Sequence, residues 1–466
     1  MTTSSSDESS GRRTLKATML PRHVLMLSLG GTIGAGLFIG IAEPLREAGP
    51  LGTILGYALA GLVMLATMMC LGELLAAMPH AGSFQYYAYR LFRNRLLSFL
   101  IGWMYWFSWV FALAAGLIAG GIVANELLPQ VPVWLWSTGF LLILTLINSL
   151  SARAFGECEY WLSLIKVLAI VGFIVAGIVL IAMRCQAGET LTLRDPSGAF
   201  FPHGLSAPLL CMTVVIYSFQ GAEVVGNIAG EAQNPSAVLP MVIKSIGLRI
   251  VFFYILSIAV IALLYPNGYQ GNLSGPFVAV FGDLGVPSAE TLMKLVILSA
   301  ALSAANSGIY VCSRMIWSMA ETGMAPRCFS QLNRHHVPLL AILLCSGLSL
   351  VCMLTKSINA ERLFIFLLSS TAQVGCAAWI VIALCQLRYR QLVNAGKIVA
   401  SEGLYRAPWT PWTGRFVILV NLVIILSGWL GTDGKEMFLS EMALLLGLCV
   451  AYFCSGWKTH WSHNEN

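Results

Sequence analysis

The sequence predicts an all-α polytopic membrane protein with twelve transmembrane helices. The chain has 466 residues, of which 58% are hydrophobic and only 10% are charged, and its mean hydropathy is +0.79. A soluble domain of ordinary composition carries about 25% charged residues. The apolar runs are about 20 residues long, as transmembrane helices are, whereas the strands of a membrane β-barrel are only about ten residues long. Composition and run length therefore both favour helical spans.

Each apolar run marks one predicted span. Most connections between the runs are short, which predicts a single membrane domain without a soluble module. The spans are predicted at 23–44, 51–77, 96–127, 132–150, 160–183, 206–230, 242–265, 289–319, 338–355, 362–387, 414–431 and 437–457.

The two ends of the chain are polar. Residues 1–20, "MTTSSSDESSGRRTLKATML", are rich in Ser and Thr and lack the apolar core of a signal peptide. We predict a disordered cytoplasmic tail over 1–20, a membrane domain over 21–457 and a cytoplasmic C-terminal tail over 458–466.

The distribution of Lys and Arg predicts the orientation. Of the 27 Lys and Arg residues, five lie in loops on one side, five lie within spans, and the remaining seventeen lie in the tails and loops of the other side. An even number of spans puts both termini on the side rich in Lys and Arg, which is the cytoplasmic side. The protein is thus expected in the bacterial inner membrane with both termini inside. The five outer residues are Arg46, Arg184, Arg194, Lys356 and Lys435, and the five within spans are Lys166, Arg249, Lys294, Arg314 and Arg362.

Cofactors, metals and nucleic acids are not expected as partners. The twelve cysteines are scattered through apolar runs without paired ligand spacing, so they are interpreted as small apolar residues of the interior. The seven histidines lie mostly at span ends or in tails and converge on nothing. The net charge of +6 follows from the cytoplasmic loops and does not indicate nucleic-acid binding.

Glycine interrupts two of the predicted spans. Span 1 contains "SLGGTIGAGLFIG", residues 28–40, and span 6 contains "SFQGAEVVGNIAGEAQNP", residues 218–235. The two lie five spans apart, so the two halves have opposite topology, and matched broken helices of this kind indicate an inverted-repeat transporter. We predict repeat one over about 21–184, repeat two over about 206–388, and two additional helices over about 414–457. Spans 3 and 8 are both unusually long, which suits tilted helices.

A broken helix offers backbone groups to a zwitterion. Both charges of an α-amino acid need partners in the membrane, and unwound backbone exposes N–H groups and carbonyls to them. Glycine tolerates the required dihedral angles. The alternative is a close helix crossing of the GxxxG type, since Gly30 and Gly34 have that spacing. The substrate-binding candidates are Thr32, Gly34, Ala35 and Gly36 in span 1, and Tyr217, Phe219, Gly221, Glu223 and Asn227 in span 6, with the carbonyls near Ser28 and Leu29.

Two carboxylates lie in span 6. Glu223 is at its middle, where a carboxylate at bilayer depth indicates a functional site. It suits either pairing with a cationic group of the substrate or binding of a proton, and the alternative is a protonated core residue that hydrogen-bonds the freed backbone. Glu231, at the cytoplasmic end, is expected in an inner gate or a loop contact. Asn227 is a candidate for satisfying polar groups in the break.

Lys166 and Tyr105 are the last two site candidates that follow from the residue types alone. A desolvated lysine loses its charge readily and can load and release a proton. Since Lys166 is about six residues into span 5, roughly 9 Å deep, the alternative is a lysine that snorkels to the interface. Tyr105 of span 3 is a candidate for closing a substrate pocket, and Phe219 is a candidate gate, although aromatic residues more often serve packing.

Five stretches of the chain resemble one known family. They are "GGTIGAGLFIG", "LGELLAAMPHAGSFQYYAYR", "GECEYWLSLIKV", "SFQGAEVVGNIAGEAQNP" and "LSAANSGIYVCSRMIWSMA". In order and register, they are similar to amino acid permeases of the amino acid–polyamine–organocation superfamily, in the bacterial branch with lysine, aromatic, GABA and S-methylmethionine permeases. The resemblance covers about residues 15–455. It implies two inverted five-helix repeats plus two helices, and proton-coupled uptake of an amino acid.

The resemblance also implies how a proton is coupled. In the family, a lysine at the position of Lys166 stands where sodium-coupled relatives keep a cation. Protonated Lys166 is therefore expected to bind the carbonyls of the span 1 break, with Ser299 or Ser303 of span 8 sharing the contact. Lysine and aromatic permeases carry an acidic residue in the middle of span 3, whereas this chain has "FALAAGLIAGG" there. The strings "PQVPVW", "LSAANSGIY" and "YRAPW" look closest to S-methylmethionine permeases.

Other functions fit the sequence less well. An amino acid exchanger of the same fold is the near alternative, and Lys166 argues against obligate exchange because it offers a proton site. A channel or a non-transporting subunit is the alternative from another class, but the polar groups cluster at the breaks and do not form a continuous lining. An enzyme is not expected, since "GTIGAG" lies in an apolar span without a βαβ unit.

Overall fold

The computed structural model describes most of the chain as helix. The described residues are 15, 18–31, 33–38, 40–80, 82–189, 191–193, 200–204, 206–228, 231, 242–243, 247, 249–266, 275–285, 288–353, 360–399, 404–428 and 434–454. All the regular elements in this part of the chain are helices, which confirms the all-α prediction. In chain order they are α1 (Pro21–Gly30), α2 (Ala35–Phe38), α3 (Ala42–Ala77), α4 (Ser83–Phe92), α5 (Arg95–Leu127), α6 (Val133–Leu150), α7 (Ala152–Gln186), α8 (Ala207–Leu210), α9 (Met212–Tyr217), α10 (Val224–Ile228), a π-helical turn (Ile250–Ile255) continuing into α11 (Leu256–Leu264), α12 (Gly275–Asp283), α13 (Ala289–Glu321), a 3₁₀ turn (Arg327–Ser330), α14 (Leu339–Met353), α15 (Ala360–Asn394), α16 (Trp412–Gly428) and α17 (Gly434–Cys454).

Several of these helices are long and apolar enough to cross a membrane. Among the described residues six meet both criteria, and five further apolar helices are shorter. Each of the twelve predicted spans overlaps at least one observed helix. The number of twelve crossings and the inverted repeat stay predictions. The six long helices are Ala42–Ala77, Arg95–Leu127, Val133–Leu150, Ala152–Gln186, Ala289–Glu321 and Ser370–Asn394.

Both glycine-rich stretches interrupt a helix. The first helix stops at Gly30 and helical structure resumes at Ala35. The second stops at Tyr217 and resumes at Val224, with Gly221 at a φ of 101° that favours glycine. A Cβ at Gly31 would lie 3.7 Å from the carbonyl oxygen of Gly221. The two interruptions therefore face each other inside the bundle.

The boundary between the first two spans lies inside α3. Gly49 has a φ of 73° and is followed by Pro50, so the chain turns sharply there although helix continues on both sides. A Cβ at Gly49 would also lie 2.7 Å from Cδ of Pro202. Residues 42–48 thus extend the first span, and the second span begins at Pro50, close to the predicted 51.

The central scaffold is a pair of long helices, α5 and α13. Each has 33 residues, which corresponds to about 50 Å, so each must tilt to fit a hydrocarbon layer of about 30 Å. They form the most extensive helix pair in the described structure. Because the broken helices and α7 pack against this pair, their polar residues converge on it.

Two features of the fold near the second and fifth predicted spans differ from the prediction. α7 begins at Ala152, eight residues before the predicted start of span 5. The connection after span 2 contains α4, a ten-residue helix with one apolar face that buries Phe84, Tyr87 and Leu91. Neither feature has the long apolar run by which spans were recognised.

Candidate functional site: a central cavity and a buried lysine

A cavity of about 580 Å³, including the space at its mouth, lies between the two interruptions. Five parts of the fold contribute to its wall: the first interruption, α5, the second interruption, α13 and α15. The lining residues are Gly31, Gly34, Gly36, Tyr105, Ser108, Trp109, Ala112, Tyr217, Ser218, Gln220, Glu223, Ala304, Ser307, Thr371 and Gly375.

Glycine at the wall allows close approach of the two broken helices. A Cβ at Gly36 would lie 2.7 Å from Cδ1 of Tyr217 and 3.1 Å from Cα of Ser218. A Cβ at Gly34 would meet only the Cβ of Ala304, at 3.5 Å. The glycine at position 36 therefore has a packing function, whereas the space beside Gly34 belongs to the cavity.

Glu223 is the charged residue of the cavity wall. Its side chain is buried and accepts hydrogen bonds from the hydroxyl of Tyr105 at 3.0 Å and from Nε1 of Trp379 at 3.3 Å. The N–H of Gly221 points at both carboxylate oxygens, at 3.3 and 3.4 Å. All these donors are neutral, and no Lys or Arg in the described part of the chain forms an ion pair with Glu223.

Lys166 lies next to the first interruption. It is fourteen residues into α7, about 21 Å from the start of the helix, and not near its end. Its side chain is fully buried. Nζ donates to the carbonyl oxygen of Gly30 and, at 2.7 Å, to Oγ of Ser303. The lysine thus joins the last residue of α1 to α13.

A second carboxylate, Glu159, faces Lys166 and was not among the sequence candidates. It lies two helical turns before Lys166 on α7, is fully buried, and its Oε1 is 3.8 Å from Nζ. It accepts hydrogen bonds from Oγ of Ser303 and from Nδ2 of Asn306, the latter at 3.2 Å. Nδ2 of Asn148 in turn donates to Oδ1 of Asn306 at 2.7 Å. The spacing of seven residues in "ECEYWLSLIK" was the available signal, since it puts both charges on one helix face.

A buried ion pair lies further along α13. Nε of Arg314 donates to Oε1 of Glu231 at 2.9 Å, and both side chains are 1% exposed. The hydroxyl of Tyr310 donates to the same oxygen at 3.0 Å, and its ring stacks on Phe155 of α7 at 4.2 Å. The backbone N–H of Met19 donates to the carbonyl of Glu231 at 3.1 Å. The end of the second broken helix is thereby tied to α13, α7 and the residues before α1.

The remaining sequence candidates lie at varied distances from the cavity. Thr32 lies outside the described residues. Phe219 is fully buried behind the second interruption, stacked on Tyr254 at 4.3 Å, and Asn227 is buried in α10. Ser299 donates to the carbonyl of Val296 on its own helix. Of the two serines proposed as partners of Lys166, the structure brings Ser303 to it.

The fold defines a multi-pass helical membrane protein with an internal cavity. The family model of amino acid permeases matches residues 23–466, and the chain belongs to this family. Its activity is therefore amino acid transport.

Relatives in bacteria match most of the chain. It is 40% identical to the amino-acid permease RocC of Bacillus subtilis over 85% of either chain. It is 39% identical to the gamma-aminobutyric acid permease of the same organism, over 81% of this chain and 80% of the relative. It is also 34% identical to the lysine-specific permease LysP of Escherichia coli, over 95% of this chain and 90% of the relative.

Proposed function

We propose that this permease imports an amino acid together with a proton across the bacterial cytoplasmic membrane, by alternating access around the central cavity. The observation that carries the proposal is the contact of Lys166 with the carbonyl of Gly30 and with Ser303. A titratable group that holds the edge of a broken helix gives a proton a direct influence on the part of the protein that binds substrate.

The substrate is proposed to lie between the two interruptions. Its carboxylate meets backbone N–H groups near Gly34, Ala35 and Gly36, and its ammonium meets carbonyls between Tyr217 and Gly221. Supporting this placement, the cavity is lined by both interruptions, and Tyr105 is among its lining residues. Either charge of the substrate would be costly to bury at this depth in the membrane without such partners.

The coupling is proposed to work through the charge of Lys166. A protonated lysine donates strongly to the Gly30 carbonyl and braces the first interruption, since hydrogen bonds from ionised donors are roughly twice as strong as neutral ones. A neutral lysine holds the carbonyl less well, so the interruption is free to rearrange. Loss of the proton on the cytoplasmic side would then favour release of the substrate there.

Purified protein in liposomes tests the proposal. With radiolabelled amino acid outside, an inward proton gradient should give accumulation above the equilibrium level, and an inward sodium gradient alone should give none. A panel of unlabelled cationic, neutral and ω-amino acids, together with S-methylmethionine, should identify the substrate by competition. Uptake that requires amino acid on the inner side and ignores the pH gradient would instead indicate an exchanger and overturn the proposal.

A further inference from the structure

The interior of the protein holds a second acid that the function proposed above does not use. Glu159 is as deeply buried as Lys166. Each oxygen of its carboxylate has a protein donor, Ser303 on one side and Asn306 on the other. A buried charge is costly unless it is paired and hydrogen-bonded. Here three elements, α6, α7 and α13, contribute polar residues to the network around Glu159.

The hydroxyl of Ser303 connects the lysine and the carboxylate. It accepts from Nζ of Lys166 at 2.7 Å and donates to Oε1 of Glu159, whereas the direct distance from Nζ to Oε1 is 3.8 Å. Lys166, the hydroxyl of Ser303 and the carboxylate of Glu159 thus form a continuous chain of hydrogen bonds, in which the protonated lysine is the first donor and the carboxylate is the last acceptor. This is the arrangement that passes a proton along a chain without movement of the heavy atoms.

Resting on the function proposed above, we propose that Glu159 is the acceptor of the proton that Lys166 releases, with Ser303 as the relay. Lys166 gives one proton to Oγ of Ser303 while the hydroxyl proton of Ser303 passes to the Glu159 carboxylate. The products are a neutral amine, an unchanged serine and a neutral carboxylic acid, so charge and protons balance. The step removes two opposite buried charges together and loosens the bond of Lys166 to the Gly30 carbonyl.

The other ionisable side chains around this relay are engaged elsewhere. On α1, Arg22 and His23 contact Glu157, at 2.5 and 3.1 Å, on a different face of α7. On α13, Tyr310 and Arg314 both bind Glu231. Cys158 is on α7 itself, next to Glu159. In the described part of the chain, Glu159 is therefore the carboxylate that pairs with Lys166.

Position along the helix gives the relay a direction. Glu159 lies about 10 Å closer than Lys166 to the start of α7, which is the predicted cytoplasmic end. A proton on Glu159 has accordingly moved from the level of the first interruption toward the cytoplasm, in the direction of import.

The test compares E159Q, S303A and K166M with wild-type protein in liposomes by two assays. The first is accumulation driven by an inward proton gradient, and the second is exchange of labelled for unlabelled amino acid at equal pH. Each variant should lose accumulation at least tenfold, while exchange by E159Q stays within threefold of wild type. The matched control is E126Q. It removes a carboxylate that lies 3.4 Å from Lys294, at the C-terminal end of α5. This variant should accumulate amino acid as wild type does.

A double variant separates the relay from a structural function of Glu159. If both residues act on one proton, E159Q/K166M should lose no more accumulation than K166M alone. Full proton-driven accumulation by E159Q, or losses that add in the double variant, would overturn the relay and leave proton coupling intact. Wild-type protein that ignores the pH gradient would overturn both the coupling and the relay.

Discussion

At the scale of single residues, Glu223 combines burial in the wall of a cavity with neutral donors only. Tyr105, Trp379 and the N–H of Gly221 together direct dipoles at the carboxylate, and the hydrogen bonds of an ionised acceptor are worth about 1.5–3 kcal/mol each. These donors would stabilise an ionised Glu223 without a fixed counter-charge. Such an anion can therefore bind a cationic group of the substrate, or a proton, when one arrives.

Replacement of Glu223 by glutamine is expected to lower transport at least tenfold. Glutamine keeps the size of the side chain, so the protein should insert and elute as a single species like wild type. Glutamine cannot accept hydrogen bonds from three donors as a carboxylate anion does. A loss of about 1.5–3 kcal/mol of hydrogen-bond free energy corresponds to a decrease in transport of roughly 10–150-fold. Initial uptake rates with equal amounts of protein in liposomes measure the effect.

The matched control for this prediction is Y105F, which removes one donor and leaves the carboxylate. It should lower uptake less than E223Q does. Wild-type uptake by E223Q would mean that Glu223 is a protonated core residue that serves the backbone of the interruption.

Sequence patterns identified some of these residues and not others. Glu223 and Lys166 were predictable because a charge inside an apolar run is rare and costly. Trp379 was not, since a tryptophan in an apolar span looks like packing until the fold brings its Nε1 to a carboxylate. Glu159 was missed because it lies before the apolar run in which Lys166 was recognised.

At the scale of elements, the pair Glu231–Arg314 links the end of the second broken helix to α13. Seven residues, about 10 Å, separate Arg314 from Ser307 of the cavity wall, toward the predicted cytoplasmic side. Each side chain of the pair is 1% exposed, and the stacked rings of Phe155 and Tyr310 lie beside it. This placement supports the expectation of an inner gate.

Removing one partner of the Glu231–Arg314 ion pair should destabilise the protein strongly. R314M leaves Glu231 buried without its cation, a change that typically costs 3–5 kcal/mol, so the apparent Tm in detergent should fall by roughly 5 °C or more. The double variant E231M/R314M should recover at least half of that loss, because apolar residues can replace a buried pair as a unit. Thermal unfolding of the purified variants measures both.

An exposed arginine provides the control for the Tm prediction. Arg415 lies 5.0 Å from the ring of Trp412 at the surface, and R415M should change the apparent Tm by less than about 1 °C. A double variant that is no more stable than R314M would contradict the interpretation that the unpaired charge is the cause.

The elements themselves could be predicted where a long apolar run exists. Hydropathy located α5 and α13 within one or two residues. It placed the start of α7 eight residues late, because Arg153, Glu157 and Glu159 lower the hydropathy of the first two turns. It also could not find α4, whose stability comes from packing of one face against the bundle and not from its own apolar length.

At the scale of the whole molecule, α13 contributes residues to three groups. Ala304 and Ser307 line the cavity, Ser303 and Asn306 contact the Lys166–Glu159 pair on α7, and Tyr310 and Arg314 hold Glu231. Since one helix contributes to all three groups, a small rotation or tilt of α13 relative to its neighbours changes all three together. In the proposed mechanism, this geometry links substrate binding, proton binding and closure of the cytoplasmic side.

This arrangement imports substrate only if α13 runs from the outside to the cytoplasm, and two native cysteines can establish its direction. Cys185 at the end of α7 and Cys328 after α13 are both exposed. Three predicted spans, 6, 7 and 8, lie between them, so they must be on opposite sides of the membrane. The excess of Lys and Arg puts Cys328 inside.

A membrane-impermeant maleimide should therefore label intact cells through Cys185, and C185S should abolish that signal. Cys454 is also exposed, so in a C454S background permeabilised cells should gain a second signal that C328S removes. Labelling of both cysteines from one side would contradict the three crossings, and labelling of Cys328 alone from outside would reverse the orientation.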